Sequence, residues 1–280
     1  MISRNLAERI AVALVGVPAI LLAGYAGGWW LKSFLLLICA LGAGEYLKGT
    51  YRTGFHASIN AVLVVCWFAA LGIAGASLAQ GMAAGLALFL IFFLCLGMVM
   101  SYRSESPQML FSFLSRVTWG IFYVSLLYPY LYWVREQNPI DGFAWLLTLL
   151  GTLWLGDTVA MGLGQAFGRR KLAPTVSPNK TVVGFISALI AAAPIGFMLG
   201  EWLFETETAL TVAIGALIIS FFGQLGDLVE SMWKRSVGLK DSSRIIPGHG
   251  GALDRFDSLA FAAPALYFYL TLKTDLPFSG

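Results

Sequence analysis

The sequence predicts an all-α, polytopic integral membrane protein of about nine transmembrane helices, with its N-terminus in the cytoplasm. Of its 280 residues, 58% are hydrophobic and only 12% are charged, about half of the charged fraction that is usual in soluble domains. The apolar stretches are continuous and approach the roughly 20 residues that a helix needs to cross a bilayer. Strands of a membrane β-barrel are instead alternating segments of about ten residues, so the spans are predicted to be helices.

The first candidate span leads through Gly27 to Trp30 directly into the second, which favours a retained helix over a cleaved signal peptide. We divide the chain into N-terminal helices, residues 1–116, and a C-terminal catalytic region, residues 117–280. The candidate spans cover residues 10–25, 30–46, 59–75, 82–102, 117–134, 143–163, 182–203, 209–230 and 256–272.

Basic residues near the ends of spans favour the cytoplasmic side of a membrane. When the 18 Lys and Arg residues are sorted by loop, only Lys32, Arg135 and Lys273 fall on the side opposite to the N-terminus. That opposite side also carries Glu201, Glu205 and Glu207 in one loop. The charge pattern therefore predicts a multi-pass protein of the inner (cytoplasmic) membrane.

Cysteine and glycine usage gives two further expectations. The three cysteines, Cys39, Cys66 and Cys95, lie within apolar stretches, which argues against disulfides and a zinc cluster. Small residues four apart favour close helix packing within one subunit, with a homodimer face as the alternative. The pairs are Gly24 and Gly28, Gly81 and Gly85, Gly164 and Gly168, and Gly196 and Gly200.

Two polar stretches on the predicted cytoplasmic side, residues 164–181 and 231–255, are the candidate walls of one site. Before the second stretch, polar residues recur at steps of three or four and share one helical face: Ser220, Gln224, Asp227, Ser231 and Lys234. Such a stripe usually faces a water-filled cavity or a protein partner. We therefore place Ser220 and Gln224 at a substrate site, with a structural ion pair as the alternative for Asp227.

The second stretch concentrates charge and glycine. Mg²⁺ is usually held by one or two carboxylates together with water and phosphates, so Asp227, Asp254 and Asp257 are the candidate metal ligands. Helix capping is the alternative for the last two, and the number of acids also allows a second cation. Gly250 and Gly251 allow backbone to approach a phosphate, although an ordinary turn explains them too. The other candidate catalytic residues are Lys234, Arg235, Lys240, Asp241, His249 and Arg255.

The first stretch follows Asp157 in the sixth span. Proline and asparagine break the helix there, so Ser177, Asn179 and Lys180 are predicted to bind substrate at the membrane surface. For Arg169 to Lys171, a positive-inside anchor is the favoured interpretation.

Residues 231–257 resemble the signature of the CDP-diacylglycerol synthase family, also called phosphatidate cytidylyltransferases. The pattern is a serine shortly before Lys-Arg, a Lys-Asp pair four residues later, a Pro-x-His-Gly-Gly turn and a final Asp-Arg-x-Asp, all present in register. Residues 226–231 and 177–181 are also similar to that family. The resemblance covers about residues 155–258, with departures at Met161, Val183, Trp233 and Ala252.

The resemblance implies transfer of the cytidylyl group of CTP to phosphatidate, which gives CDP-diacylglycerol and pyrophosphate for phospholipid biosynthesis. It implies a magnesium-dependent site that faces the cytoplasm, with CTP, phosphatidate and the bilayer as partners and no nucleic acid. One alternative is a transporter with an intramembrane acidic site, which the lack of a half-chain repeat disfavours. Another is a related CTP-dependent enzyme that acts on a different lipid phosphate or a polyprenol.

Overall fold

The computed structural model describes residues 4–51, 60–103, 106–246, 248 and 250–274. A π-helical segment, Phe122–Leu127, lies between α5 and α6, and the strands β1 and β2 form an antiparallel hairpin. The helices and strands are α1 (Arg4–Ala26), α2 (Gly28–Tyr51), α3 (Asn60–Gln80), α4 (Met82–Arg103), α5 (Pro107–Ile121), α6 (Tyr130–Glu136), α7 (Gly142–Phe167), β1 (Lys171–Ala173), β2 (Ser177–Thr181), α8 (Val182–Leu203), α9 (Ala209–Ser236) and α10 (Leu253–Thr274).

The predicted class, an all-α polytopic membrane protein, is confirmed. Eight of the nine predicted spans coincide with one helix each over their described residues, and six helical stretches in that part of the chain are long and apolar enough to cross a membrane. They are Gly28–Thr50, Met82–Ser101, Leu110–Glu136, Gly142–Phe167, Val182–Leu203 and Ala209–Ser236, and the shorter apolar helices are Val12–Ala26 and Val64–Gln80. Large apolar side chains such as Leu94 and Met98 on α4 are exposed, as a lipid-facing surface requires.

The fifth predicted span is interrupted rather than continuous. α5 passes into the π-helical segment and then into Pro129, which has no backbone N–H to donate, before α6 resumes. The turn is held by hydrogen bonds from Leu131 N to Tyr128 O and from Tyr132 N to Pro129 O, both 3.0 Å long. The hydrophobicity of this segment predicted its position, but not the local change in helical geometry.

The two predicted polar stretches are shorter than the sequence suggested, because the flanking helices extend into them. α9 continues to Ser236, so residues 231–236 are helical, and α7 continues to Phe167. Residues 171–181 form the β-hairpin instead of an irregular loop. Thr181 then caps α8, its Oγ1 accepting a hydrogen bond from Gly184 N at 3.1 Å.

Glycine allows close helix packing within this one chain. A Cβ at Gly196 would lie 2.8 Å from the backbone of α9 at Val212, and a Cβ at Gly200 would lie 2.6 Å from Ala209 Cα. Gly24 likewise packs on Leu146. These contacts favour packing within one subunit as the role of these small residues, and the homodimer stays a prediction.

Candidate active site

An ion-pair cluster lies between α9 and α10. The Lys234 ammonium contacts Glu230 Oε2 at 3.1 Å and Asp254 Oδ1 at 2.7 Å, and these side chains are largely buried. Glu230 and Lys234 are one helical turn apart on α9, while Asp254 lies in the first turn of α10. The predicted catalytic lysine is therefore already paired with two carboxylates.

Asp254 is surrounded by donors. Its Oδ2 accepts hydrogen bonds from Ser242 N at 2.8 Å, from Ser242 Oγ at 2.9 Å and from Gly251 N at 2.8 Å. Burial by itself raises the pKa of Asp254, but the hydrogen bonds from Lys234, Gly251 and Ser242 outweigh burial and hold that pKa below its usual value. This carboxylate is thus ionised. It organises the loop before α10 by accepting hydrogen bonds from it, which is more than the helix capping that was its alternative role.

Glu45 on α2 is a site residue that the sequence reasoning missed. It is 3% exposed. Its carboxylate accepts hydrogen bonds from Ser243 Oγ at 2.6 Å, Ser242 Oγ at 2.9 Å, Ala252 N at 2.9 Å and Leu253 N at 3.0 Å. An isolated glutamate inside an otherwise apolar predicted span was the signal that could have identified it.

Three successive backbone N–H groups, those of Gly251, Ala252 and Leu253, therefore donate to carboxylates of this chain. A Cβ at Gly251 would lie 2.0 Å from Ser242 Oγ, and Gly250 has a left-handed φ of +83°. The glycines permit this tight turn, which agrees with the alternative interpretation that they form an ordinary turn. Their predicted contact with substrate stays a prediction, and His249 lies outside the described residues.

The second part of the site lies beside the β-hairpin. Lys180 Nζ on β2 contacts Asp227 Oδ2 on α9 at 2.5 Å, so the structure joins the two predicted walls through this ion pair. Both side chains keep more than a quarter of their surface exposed. Lys180 also lines a cavity of about 640 Å³, here called the hairpin cavity, together with Asp157, Asn179 and Gln224.

Further carboxylates surround Asp227. Asp157 and Asp257 both lie within electrostatic range of Asp227, and Glu230 lies within electrostatic range of Asp257. Glu230 Oε1 is buried without a hydrogen-bond partner. Acids so close together repel each other unless a proton or a cation lies between them.

Across the described residues, no three His, Cys, Asp or Glu side chains form a complete metal-ligand set. Mg²⁺ needs only one or two carboxylates when water and phosphate complete its shell, so Asp227 and Asp257 fit that ion. Asp254 fits it less well, because its two oxygens already accept four hydrogen bonds from Lys234, Ser242 and Gly251.

The remaining predicted residues are divided between the two parts. Ser220 is buried, and its carbonyl accepts a hydrogen bond from Gln224 Nε2. Arg235 donates to Val176 O at 3.2 Å and to Leu239 O at 2.8 Å, so it ties the hairpin turn to the segment after α9.

Lys240 and Asp241 line a different cavity, which lies against α2. Ser177 lies on β2, and Arg255 is exposed on the first turn of α10.

The cavity against α2, here called the α2 cavity, has a volume of about 770 Å³. One wall is the face of α2 that carries Leu41, Glu45 and Lys48, and the other is the segment 239–245. Both cavities fall in the range of about 300–1,000 Å³ that is usual for small-molecule sites. The ion-pair cluster contacts the wall of the α2 cavity through the hydrogen bonds between Ser242 and Asp254.

These features define a polytopic helical membrane protein with a charged site and two cavities that lysine side chains line. A sequence model of the cytidylyltransferase family matches residues 7–273. This chain therefore belongs to the cytidylyltransferase family.

Curated relatives carry a more specific name. A phosphatidate cytidylyltransferase of Staphylococcus saprophyticus is 43% identical over 151 residues, which are 54% of this chain and 56% of the relative. The phosphatidate cytidylyltransferase of Staphylococcus aureus is 40% identical over 177 residues, which are 61% of this chain and 65% of the relative. The matched region thus spans somewhat more than half of the length of these relatives.

Proposed function

We propose that this protein transfers the cytidylyl group of CTP to phosphatidate and releases pyrophosphate. The observation that carries the proposal is that α9 supplies one partner to each of two ion pairs, Lys180–Asp227 beside the hairpin and Lys234–Asp254 beside the loop before α10. Membership in the cytidylyltransferase family and the name of the relatives support the same activity.

The reaction joins two polyanions. An oxygen of the phosphatidate phosphate attacks the α-phosphorus of CTP, a new P–O bond forms, and the bond to the β-phosphate breaks with release of pyrophosphate. The attacking phosphate is already anionic at neutral pH, so positioning and charge neutralisation matter more than a strong base. Lysines at both cavities and Arg244 at the α2 cavity would supply that neutralisation.

Each group of residues has a proposed role. Asp227 and Asp257 would hold Mg²⁺, which supplies charge neutralisation at the phosphates when it is bound. Lys180 and Asn179 bind the triphosphate at the hairpin cavity. Gln224 Nε2 donates to the carbonyls of Phe185 and Ser220, which leaves its Oε1 as an acceptor for an amino group such as that of cytosine.

An assay with two labels tests this function. Purified protein in detergent, with phosphatidate and Mg²⁺, receives CTP labelled at either the α- or the γ-phosphate. The α-label is expected to become chloroform-soluble and the γ-label to appear as pyrophosphate, both only when lipid and metal are present. A chloroform-soluble γ-label would indicate phosphorylation instead, and transfer to a polyprenol phosphate but not to phosphatidate would indicate a different lipid substrate.

The proposed location is the inner membrane, with the site facing the cytoplasm. The split of basic residues between the two sides supports this orientation. Lys273 and Glu207 form an ion pair, and the split of basic residues assigns both of them to the side opposite to the N-terminus. A cysteine introduced at Glu205 should react with an impermeant maleimide in intact cells, whereas one at Lys171 should react only after lysis. The reverse pattern would place the site away from cytoplasmic CTP.

A further inference from the structure

The α2 cavity is an amphipathic site that the sequence did not predict. Leu41, Glu45 and Lys48 follow each other at steps of four and three, so one face of α2 forms its wall, together with Ala40 and Gly44. The opposite wall is the polar segment 239–245. The cavity therefore has an aliphatic side and a charged side.

The charged side favours an anion. Lys48, Lys240 and Arg244 line the cavity and are exposed, and Asp241 and Glu45 are the acids that line it. Both oxygens of Glu45 accept hydrogen bonds from the loop, so its charge is largely compensated by those donors. The three cations remain to neutralise a phosphate monoester, whose charge is about −1.5 to −2 at neutral pH.

The aliphatic side has the depth that a lipid requires. Lys48 lies near the end of α2, whereas Ala40 and Leu41 lie seven to eight residues earlier, which is about 11 Å along a helix that rises about 1.5 Å per residue. In the proposed topology this direction runs from the cytoplasmic surface into the bilayer. A ligand with a phosphate at the interface and an apolar part below it matches this arrangement.

The hairpin cavity differs in chemistry. It presents the amide side chains of Asn179 and Gln224, which can recognise a nucleobase by hydrogen bonds. The described lining of the α2 cavity contains neither an amide nor an aromatic side chain, and it offers mainly charge and aliphatic surface. CTP therefore fits the hairpin cavity better, and a lipid phosphate fits the α2 cavity better.

Contacts connect the α2 cavity to the charged cluster. Ser242 in the cavity wall hydrogen-bonds Asp254, which pairs with Lys234, and Lys234 also contacts Glu230. Asp257 lies within electrostatic range of both Glu230 and Asp227, and Asp227 pairs with Lys180, which lines the hairpin cavity.

From this arrangement we propose that the α2 cavity is the phosphatidate subsite, with Lys48 and Arg244 binding its phosphate and α2 contacting the apolar part. This assignment rests on the proposed function and specifies where its lipid substrate binds.

Kinetics in mixed micelles tests the assignment. Phosphatidate mole fraction and CTP concentration are varied independently for the full chain and for Lys48→Gln and Arg244→Gln. Each variant is expected to raise the apparent KM for phosphatidate about tenfold or more and to leave the KM for CTP within about twofold, since each loses one charge-assisted phosphate contact. Arg169→Gln is the matched control, because Arg169 is exposed near the hairpin and lines neither cavity.

Binding measured without turnover separates this inference from the proposed function. Dioctanoyl phosphatidate should bind the wild-type protein, bind the two variants about tenfold more weakly, and bind far better than glycerol 3-phosphate, which lacks apolar chains. If the variants raise the KM for CTP instead, or if their binding of dioctanoyl phosphatidate is unchanged, the assignment is wrong. Lys48-dependent lipid binding by a protein without cytidylyl transfer would overturn the proposed function but leave the lipid site intact.

Discussion

The two parts of the site differ in the hydrogen-bond and ion-pair partners of their carboxylates. Next to α2, Glu45 and Asp254 together accept hydrogen bonds from backbone N–H groups, two serine hydroxyls and one lysine. Next to the hairpin, Asp227 has a single lysine partner and a weak 3.4 Å contact from Ser231 Oγ, and its neighbours are other acids. The difference suggests that the first pair of acids organises the loop and that the second group is available to a cation and to substrate.

The strongest test of this comparison is Asp227→Asn. Removal of this charge should lower turnover about 100- to 1,000-fold at saturating CTP, because an electrostatic group at the reacting phosphates is lost. The thermal unfolding midpoint should change little, since the side chain is partly exposed. Glu201→Gln is the control, because it makes the same charge change at an exposed position on the opposite side. Near-normal turnover would indicate that Asp227 forms a structural ion pair and is not needed for the reaction.

Asp254→Asn should act mainly through stability. Loss of the carboxylate leaves Lys234 with Glu230 alone, and breaking a buried ion pair costs about 3–5 kcal/mol. We expect a clearly lowered unfolding midpoint, measured by tryptophan fluorescence in detergent. The double variant Lys234→Gln with Asp254→Asn should be less unstable than the sum of the single variants. A stable but inactive Asp254→Asn protein would instead support Asp254 as a metal ligand.

Glu45→Gln tests the other organising carboxylate with an almost isosteric change. Each Glu45 oxygen accepts one backbone N–H, from Ala252 or from Leu253, so the amide nitrogen of glutamine would face one of these donors. An unsatisfied buried donor costs about 1–3 kcal/mol, and the unfolding midpoint should fall accordingly.

The matched control for Glu45 is Ser243→Ala, which removes a hydroxyl donor but leaves both backbone N–H groups paired. Its effect should be about 1 kcal/mol or less. Equal stability of Glu45→Gln and wild type would show that Glu45 does not hold the loop.

Arg235→Gln should have the smallest effect. This exposed side chain ties Val176 in the hairpin turn to Leu239, and exposed hydrogen bonds contribute at most about 1 kcal/mol. Limited proteolysis should cleave the hairpin several-fold faster than in wild type, while Arg169→Gln should not change the rate. A loss of activity of more than about 100-fold with an unchanged cleavage rate would show direct phosphate contact instead.

Much of the molecule could be predicted from the sequence because the bilayer imposes simple rules. A spanning helix must be mostly apolar, so hydrophobicity located the spans, and most charged residues were assigned to loops. Spacing along α9 placed Asp227, Ser231 and Lys234 within two helical turns, which is a local property of the chain. The signature residues likewise indicated a phosphate site by their chemistry and order along the chain.

The tertiary structure alone decided which acids are paired. Glu45 and Ser242 are nearly 200 residues apart in the chain, and no periodicity relates residues at that separation. Their contact depends on α2 packing beside α9, where a Cβ at Gly49 would lie 2.8 Å from the Trp233 ring and Tyr46 stacks on that ring. The same packing creates the α2 cavity. Local patterns therefore identified the charged residues, but helix packing determined which of them bind the loop and which remain for substrate.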